Sequence, residues 1–262
     1  MEIEDLDPES FEKAKKLCKG PLGAEMCKFP LRFAKAALIG IRPIDDSPNL
    51  CNGTVSLVDF GNGPKAITCF HVLAEYKKRK AENKNTIFQI GNVEVDVLNN
   101  IIDEDENLDL AIINLKAEDV SAITNGDVIG SCFYQPTSWP PGEVKKGDSL
   151  AFGGFPGLMR ELESKNEVVF RSWSSGASLV EAVNDDYIVC QFERVHWVKP
   201  DGMEAKGEDL HDLGGLSGAP VFIWRNVHYE FVGIVYQFSS EYDLMRIRPT
   251  KFIRTDGTID RM

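Results

Sequence analysis

Residues 214–222 read GGLSGAPVF, a serine between glycines with an apolar run soon after it. Glycine tolerates positive φ and lets another backbone approach closely, so the pattern predicts that Ser217 lies on a tight, exposed loop before a strand. In that geometry the backbone N–H groups of Gly215 and Ser217 can both point at one oxyanion. Taken alone, the motif fits an ordinary glycine-rich turn equally well.

A serine hydroxyl is a poor nucleophile unless a base takes its proton, so the loop needs a histidine. His71 ends the apolar run 66–70 and begins a helical pattern, which holds the residue rigidly while its ring can face a cleft. Asp109 directly precedes the apolar run 110–113, where a carboxylate is costly unless it is paired. Such a carboxylate can fix the tautomer of a histidine and stabilise its imidazolium form. Taken singly, His71 also fits a structural histidine.

The chain as a whole predicts an all-β protein. Short β-branched runs recur from residue 36 onward, separated by Gly, Asn, Asp and Pro, which is typical of a barrel or sandwich. The clearest predicted strands are 36–41, 53–60, 65–70, 86–90, 93–98, 110–115, 148–154, 167–173, 186–192, 219–224 and 230–238. Segment 7–18 is predicted to be a helix and 72–84 the one internal helix. The acidic run 103–106 is predicted to be a solvated loop, with a calcium-binding loop as the weaker alternative. The Pro- and Gly-rich segment 135–147 separates two sets of strands and is the predicted linker between two barrels.

Composition and charge exclude several classes of protein. The chain has 262 residues, 43% of them hydrophobic, which is enough to bury a sizeable core. No apolar run approaches the ~18 residues that a membrane-spanning helix needs, so we expect no membrane partner. The 29 basic and 41 acidic residues give a net charge of −12, which disfavours nucleic-acid binding. The acidic start, MEIEDLDPES, lacks the pattern of a secretory signal and predicts a cytoplasmic protein.

The six cysteines form no CxxC pair. They predict free, mostly buried thiols in a reducing compartment rather than a disulfide framework. The nearest grouping of zinc-ligand type is Cys69 with His71, which has no second pair at ligand spacing. Zinc is therefore only the weaker alternative.

The combined order of His71, Asp109 and Ser217 resembles that of the trypsin/chymotrypsin-like serine peptidases, in particular their intracellular and bacterial members. The motifs that carry the resemblance are AITCFHVL (66–73), DLAIINL (109–115), GGLSGAPVF (214–222), the turn GGFPG (153–157) and the strand GIVY (233–236). Their order and spacing together are far more specific than any one motif. The resemblance covers about residues 36–255.

The resemblance implies two six-stranded antiparallel β-barrels with the active site in the cleft between them. The implied organisation is an N-terminal helical extension (1–35), a first barrel (36–134), a linker (135–147) and a second barrel (148–262). His71 and Asp109 would come from the first barrel, and Ser217 with the oxyanion N–H groups of Gly215 and Ser217 from the second. His71 would take the proton of Ser217 as it attacks a peptide carbonyl, and water would release the acyl-enzyme. No metal or organic cofactor is required.

Two departures from the family pattern concern regulation. The acidic residue that precedes the serine in secreted members is Leu216 here, so their activation switch is absent. Val72 follows His71, so the disulfide that usually brackets the histidine loop cannot form in its usual place. Both departures fit a peptidase that is controlled in another way, and ordering of the oxyanion loop by a regulatory protein partner is one hypothesis.

The same analogy places the substrate pocket and leaves its preference open. The residues expected to line it are His211, Asp212, Tyr236, Gln237 and Phe238. Asp212 would favour basic substrate side chains, whereas His211 or Arg246 would favour acidic ones. Both alternatives stay open.

The function predicted from the sequence is therefore that of a serine endopeptidase with a protein or peptide substrate. The alternative is a catalytically silent relative that only binds peptides, although His71, Asp109, Ser217 and both loop glycines are all present. An esterase of the α/β-hydrolase type requires the chain order Ser, acid, His, which this chain does not have.

Overall fold

The computed structural model describes residues 8–44, 50–125, 130, 132–164, 167–191, 197–202 and 212–261. Its helices are α1 (Pro8–Lys19), α2 (Pro21–Leu31), α3 (Phe70–Glu82) and α4 (Ala117–Thr124). Among these residues, no helix combines the length and the apolarity needed to cross a bilayer. Within the same described ranges, Gly157–Met159 and Thr250–Phe252 form 3-10 helices. The remaining regular structure is β-sheet, most of it in two units.

The first unit is an antiparallel sheet of seven strands. Its strands are β1 (Ala34–Ile41), β2 (Cys51–Asp59), β3 (Pro64–Thr68), β4 (Thr86–Ile90), β5 (Val93–Glu94), β6 (Ile101–Asp105) and β7 (Leu110–Asn114). Their order across the sheet is β5-β4-β1-β2-β3-β7-β6. Helix α3 follows β3 directly, so the first residues of that helix lie at the end of a central strand.

The second unit is a closed barrel of six antiparallel strands. Its strands are β8 (Ser149–Gly154), β11 (Trp173–Val183), β12 (Ile188–Gln191), β13 (Pro220–Arg225), β14 (His228–Ser239) and β15 (Leu244–Pro249), in the order β11-β12-β15-β14-β13-β8. Strands β9 (Arg160–Ser164) and β10 (Glu167–Phe170) form a separate two-stranded sheet. Side chains such as Phe152, Val221 and Ile247 fill the barrel and are fully buried.

Strand β2 has no solvent-facing side over most of its length. Val55 and Leu57 point into the core of the first unit. Thr54 and Ser56, which alternate with them, hydrogen-bond to the loop that precedes β13. Because successive side chains of a strand point to opposite faces, β2 serves as the common wall of the two units.

An aromatic cluster also joins the two units. Phe33 and Tyr134 lie 5.4 and 5.2 Å from the buried ring of Phe222 in the barrel, measured between ring centroids. Phe29 of α2 lies 5.2 Å from Phe222 and stacks on Tyr229 at 3.9 Å. These contacts bury large rings between the units, so they fix the position of one unit against the other.

The all-β class, the closed six-stranded second barrel and the helical N-terminus are confirmed. The first unit differs in detail from a six-stranded barrel, because the two-residue strand β5 extends its sheet to seven strands and the sheet order ends at β5 and β6 without closing. The domain boundaries proposed from the sequence stay predictions.

Helix α2 is an element that the sequence pattern does not reveal. It contains Gly23 and Pro30, two poor helix formers. It nevertheless buries Cys27, Pro30 and Leu31, and the helix packs against β8 and β11 of the barrel. Tertiary packing therefore stabilises this helix in spite of its composition.

The prediction of a solvated loop over the acidic run 103–106 is wrong for Asp103, Glu104 and Asp105, which lie in β6, whereas Glu106 lies in the exposed turn that follows. Arg261 binds the carboxylates of Asp103 and Asp105, and Lys77 binds that of Glu104. Each of the three acidic side chains in β6 is therefore paired with a cation, and this pairing reduces the cost of placing them in a partly buried strand.

Candidate active site

His71 is the second residue of α3, and Asp109 is the last residue before β7. The Nδ1 atom of His71 lies 2.8 Å from Oδ2 of Asp109, and the backbone N–H of His71 donates to Oδ1 at 2.9 Å. Because an ionised carboxylate only accepts hydrogen bonds, Nδ1 carries a proton. The Nε2 atom is then the basic nitrogen of the neutral ring. The histidine side chain is 52% exposed and lines a cleft.

The backbone of Asp109 adopts a left-handed conformation with φ of 52°. Aspartate is among the few non-glycine residues that tolerate this region. The conformation closes a turn in which the N–H of Asp109 donates to the carbonyl of Glu106 at 3.3 Å, while Leu110 enters the core. Backbone of this kind clusters at functional sites, where the surrounding structure holds it in place. Here the turn presents the carboxylate to α3.

The loop of Ser217 is held from both sides. The N–H of Thr54 donates to the carbonyl of Ser217 at 2.8 Å, and the hydroxyl of Ser56 donates to that of Gly218 at 2.7 Å. On the other side, the N–H of Gly218 donates to the carbonyl of Val235 at 2.8 Å. Gly218 has φ of 97°, and a Cβ there would lie 1.8 Å from the carbonyl of Thr54. Only glycine fits this close contact.

The peptide between Gly214 and Gly215 is oriented by the turn predicted from GGFPG. The carbonyl of Gly214 accepts a hydrogen bond of 2.7 Å from the N–H of Gly157. In a trans peptide the N–H points opposite to the carbonyl, so the N–H of Gly215 points away from Gly157. Among the described residues, neither this N–H nor that of Ser217 has an acceptor. These are the two N–H groups that the sequence motif assigns to an oxyanion, and that role stays a prediction.

One cleft of about 820 Å³ contains the three residues singled out by the sequence. His71 and Asp109 line it from the first unit, and Ser217 from the second. In the part of the chain that the structure describes, no hydrogen bond joins the ring of His71 to the hydroxyl of Ser217. Catalytic hydrogen bonds are often long in ligand-free structures and shorten when substrate binds.

Four of the five residues expected in the substrate pocket line the same cleft, namely Asp212, Tyr236, Gln237 and Phe238. His211 lies outside the described residues. The carboxylate of Asp212 accepts a hydrogen bond of 2.7 Å from the N–H of Gly214, so it stabilises the loop that leads to Ser217. The Oε1 atom of Gln237 accepts a hydrogen bond of 3.0 Å from Arg246.

The side chain that precedes the serine, Leu216, is 1% exposed and packs in the core of the barrel. It cannot form the ion pair that an acidic residue makes at this position in secreted peptidases.

Sequence reasoning missed three residues that shape the site. Asn52 donates to the carbonyl of Phe155 at 2.8 Å, and Thr54 donates through its hydroxyl to the carbonyl of Gly215 at 2.8 Å. Arg248 lines the cleft from β15. The polar, alternating residues of the otherwise apolar strand β2 were the one signal that could have indicated Thr54, since a buried hydroxyl needs a partner.

Cys69, His71 and Asp109 place their candidate ligand atoms within 4.8 Å of one another. The thiol of Cys69 donates to the carbonyl of Val235 at 3.3 Å, and burial raises its pKa well above the usual value. A metal ligand must be a thiolate, so a buried, protonated thiol is a poor ligand. The geometry therefore fits an acid–histidine pair better than a metal site.

All six cysteines are free. Cys27, Cys69 and Cys190 are buried, Cys18 and Cys51 are partly buried, and Cys132 is exposed. The expectation of free thiols is confirmed.

A closed six-stranded barrel beside a half-barrel sheet, with the cleft between them, is a chymotrypsin-like arrangement. The fold is chymotrypsin-like. No known sequence family matches the chain, and no curated protein matches it by sequence.

Two proteases are among the solved structures to which this chain is similar. One is the Rv3671c protease from M. tuberculosis in its active form, with 12% sequence identity, a TM-score of 0.42, and coverage of 93% of this chain and 82% of that one. The other is the thermostable serine protease AL20 from an extremophilic microorganism, with 11% identity, a TM-score of 0.46, and coverage of 83% and 91%.

Proposed function

We propose that the protein is a serine endopeptidase that uses Ser217 as nucleophile, His71 as general base and Asp109 as the group that orients His71. The observation that carries the proposal is the pair of hydrogen bonds from His71 to the two carboxylate oxygens of Asp109, in a cleft that Ser217 also lines. This pairing leaves the basic nitrogen of the ring free for a hydroxyl proton.

In the proposed reaction, Nε2 of His71 takes the proton of Ser217 while its oxygen attacks the carbonyl carbon of a peptide bond. The N–H groups of Gly215 and Ser217 stabilise the negative oxygen of the tetrahedral intermediate. The protonated histidine then gives its proton to the leaving amine, and the acyl-enzyme forms. A water molecule, activated by the same histidine, releases the acid product and restores the serine. These steps require no metal and no organic cofactor.

The test is hydrolysis of casein and of a mixed peptide library by the wild-type protein and by Ser217→Ala. We expect the substitution to lower turnover by about 10⁴- to 10⁶-fold, the range for removal of a triad serine, with the fold unchanged. The matched control is Ser121→Ala, which alters an exposed serine of α4 and should leave turnover unchanged. Equal cleavage by wild type and Ser217→Ala discards the proposal.

A peptide-binding protein without catalysis is the second candidate, favoured by the missing hydrogen bond between His71 and Ser217 in the described residues. It predicts that library peptides bind the wild-type protein and are recovered uncut. The endopeptidase predicts that the same peptides are cleaved by the wild type and recovered intact only from Ser217→Ala.

Regulation by a protein partner is part of the proposal. Leu216 is buried in the barrel core, so the loop of Ser217 cannot be activated by an ion pair at that position. A partner would instead act by ordering loops around the cleft. Turnover that rises when fractionated host extract is added to the wild type, but not to Ser217→Ala, supports this; turnover that is the same with and without extract opposes it.

A further inference from the structure

Arg248 lies on β15, opposite Ile234 of β14, and its side chain lines the same cleft as His71 and Ser217. The residue is only 6% exposed. Its guanidinium carbon lies 4.7 Å from the centre of the Tyr236 ring, so the cation stacks on an aromatic face. A positive charge is thus built into one wall of the candidate substrate cleft.

The guanidinium of Arg248 lacks part of the hydrogen-bond partners that its donors need. One of its terminal nitrogens donates to the carbonyl of Asp186, whereas Nε has no hydrogen-bond partner. Among the described residues, no carboxylate forms an ion pair with it. Arginine is almost never fully buried unless it is paired, because an unpaired buried charge is costly. The carbonyl of Asp186 and the ring of Tyr236 offset only part of that cost, so we expect an anion to bind at Arg248.

The acidic groups around the cleft do not supply that anion. Glu75 is paired with Arg79, Asp212 binds the N–H of Gly214, and both carboxylate oxygens of Asp109 are bound to His71. Glu106 is exposed. Charges in water are screened over about 10 Å, whereas buried charges are screened much less. The exposed acids therefore weaken the attraction of the cleft for anions, but they do not neutralise Arg248.

We propose that Arg248 is a specificity-determining residue that binds the carboxylate of an Asp or Glu side chain of the substrate peptide. The proposal rests on the endopeptidase function proposed above and names its substrate class. A guanidinium presents a planar set of donors that matches a carboxylate, and such charge-assisted hydrogen bonds are roughly twice as strong as neutral ones. An acidic side chain in the cleft would pair with the guanidinium charge, whereas the neutral amide would leave the charge unpaired.

Arg246 is the natural comparison, since it is two residues away on the same strand. It is exposed, it binds Gln237, and it is not among the residues that line the cleft. An acid preference that depends on Arg246 rather than Arg248 therefore contradicts the assignment.

The first experiment measures kcat/KM for fluorogenic hexapeptides with blocked termini, made in pairs that differ only by Glu or Gln at one position in turn. We expect the wild type to prefer Glu by about 10- to 100-fold at one position, the effect of a hydrogen bond to a charged group. Arg248→Met should lower this ratio to about one while retaining cleavage of the Gln peptide. Lys251→Met, which removes a positive charge outside the cleft, and Arg246→Met should both keep the ratio.

Folding of Arg248→Met is checked by thermal unfolding, and we expect it to fold, because apolar replacement of a buried charge is often tolerated. Arg248→Lys is the second variant, since it keeps the charge without the planar donors and should retain part of the preference. An active wild type with equal rates for Glu and Gln at every position, or an unchanged ratio in Arg248→Met, overturns the proposal.

The second experiment needs no catalysis and uses Ser217→Ala titrated with the same peptide pairs by calorimetry. We expect tighter binding of one Glu peptide, lost in the double variant Ser217→Ala/Arg248→Met. Preferential binding without any cleavage by the wild type supports Arg248 and rejects the endopeptidase. Cleavage without preference in either experiment rejects Arg248 alone, and neither cleavage nor preference rejects both.

Discussion

The carbonyl oxygen of Ser217 accepts a hydrogen bond from the backbone N–H of Thr54 at 2.8 Å. The candidate nucleophile belongs to the barrel and Thr54 to a central strand of the other sheet, so this bond ties the loop to the unit that carries His71 and Asp109. The hydroxyl of Thr54 adds a second bond, to the carbonyl of Gly215. The side chain of Thr54 therefore helps to fix the position of the loop of Ser217, together with the other hydrogen bonds that hold this loop.

Thr54→Val removes that hydroxyl with little change of shape. We expect a loss of about 1–3 kcal/mol in unfolding free energy, because the carbonyl of Gly215 and the N–H of Phe155 lose a buried partner. We also expect kcat to fall roughly 10- to 100-fold, because small displacements of catalytic groups are costly. Urea unfolding and peptide turnover measure the two effects.

The matched control is Thr250→Val, since Thr250 is equally buried and donates to the carbonyl of Phe231, away from the loop of Ser217. It should lose similar stability and keep its turnover. Equal loss of turnover in both variants would show that the effect of Thr54 is only a general destabilisation.

Asp109→Asn tests the orienting role of the carboxylate. Asparagine also tolerates positive φ, so the turn should form. Because an amide can donate as well as accept a hydrogen bond, it no longer selects the tautomer of His71 that has its proton on Nδ1. We therefore expect turnover to fall on the order of 10⁴-fold, as the general triad mechanism implies. Glu106→Gln, which alters an exposed acid of the same turn, should stay close to wild type. Comparable losses in the two variants would point to the charge of the turn rather than to contact with His71.

The ion pair between Arg261 and Asp103 predicts that the stability of the folded protein depends on pH. The guanidinium of Arg261 lies 2.6 Å from Asp103 and is the main cause that lowers the pKa of that carboxyl. A lowered pKa in the folded state stabilises the protein above the ordinary value, near pH 4, and the effect is lost as pH falls through the folded pKa. Arg261→Met should therefore lower Tm by a few degrees at pH 7, with a difference that shrinks below pH 4.

The control for this prediction is Arg254→Met. Arg254 pairs with Asp260, but both side chains are exposed, so the pair should add little at any pH. A Tm difference for Arg261→Met that is the same at pH 7 and at pH 3 would contradict the role assigned to Asp103.

The different burial of the cysteines predicts the order in which their thiols are alkylated. Cys132 is exposed, whereas Cys69 and Cys190 are buried. Desolvation raises the pKa of all three thiols, so their exposure decides which reacts first. Since the thiolate is the reactive form, iodoacetamide at pH 8 should modify Cys132 first and the two buried residues only after unfolding. Peptide mapping at increasing urea concentration measures this order. Early modification of Cys69 would mean that the region beneath His71 opens in the native protein.

Many apolar strands of both units, and several residues of the cleft, can be recognised from the sequence. Strands such as β4, β7 and β13 are buried on both faces over most of their length. Their residues are mainly apolar, and a short apolar run of this kind indicates a buried strand. Asp109 and Ser217 could be singled out because each lies beside such a run.

Strand β15 shows why the rest is hidden from the sequence. It alternates Arg246 and Arg248 with apolar residues, so it reads as a half-exposed segment. Arg248 is in fact buried, since it lies in the wall of the cleft and stacks on the ring of Tyr236. This burial results from the packing of neighbouring strands, which the sequence alone does not show. The strand β6 was hidden in the same way, because its acids are partnered by Arg261 at the far end of the chain.

The most direct test of the central claim is labelling with a fluorophosphonate, followed by tandem mass spectrometry to locate the adduct. The probe reacts only with a serine whose hydroxyl is activated by a base. The account predicts one adduct, on Ser217 of the wild-type protein, and its loss in His71→Ala. A folded wild type without an adduct on Ser217, or labelling that is unchanged in His71→Ala, would contradict it.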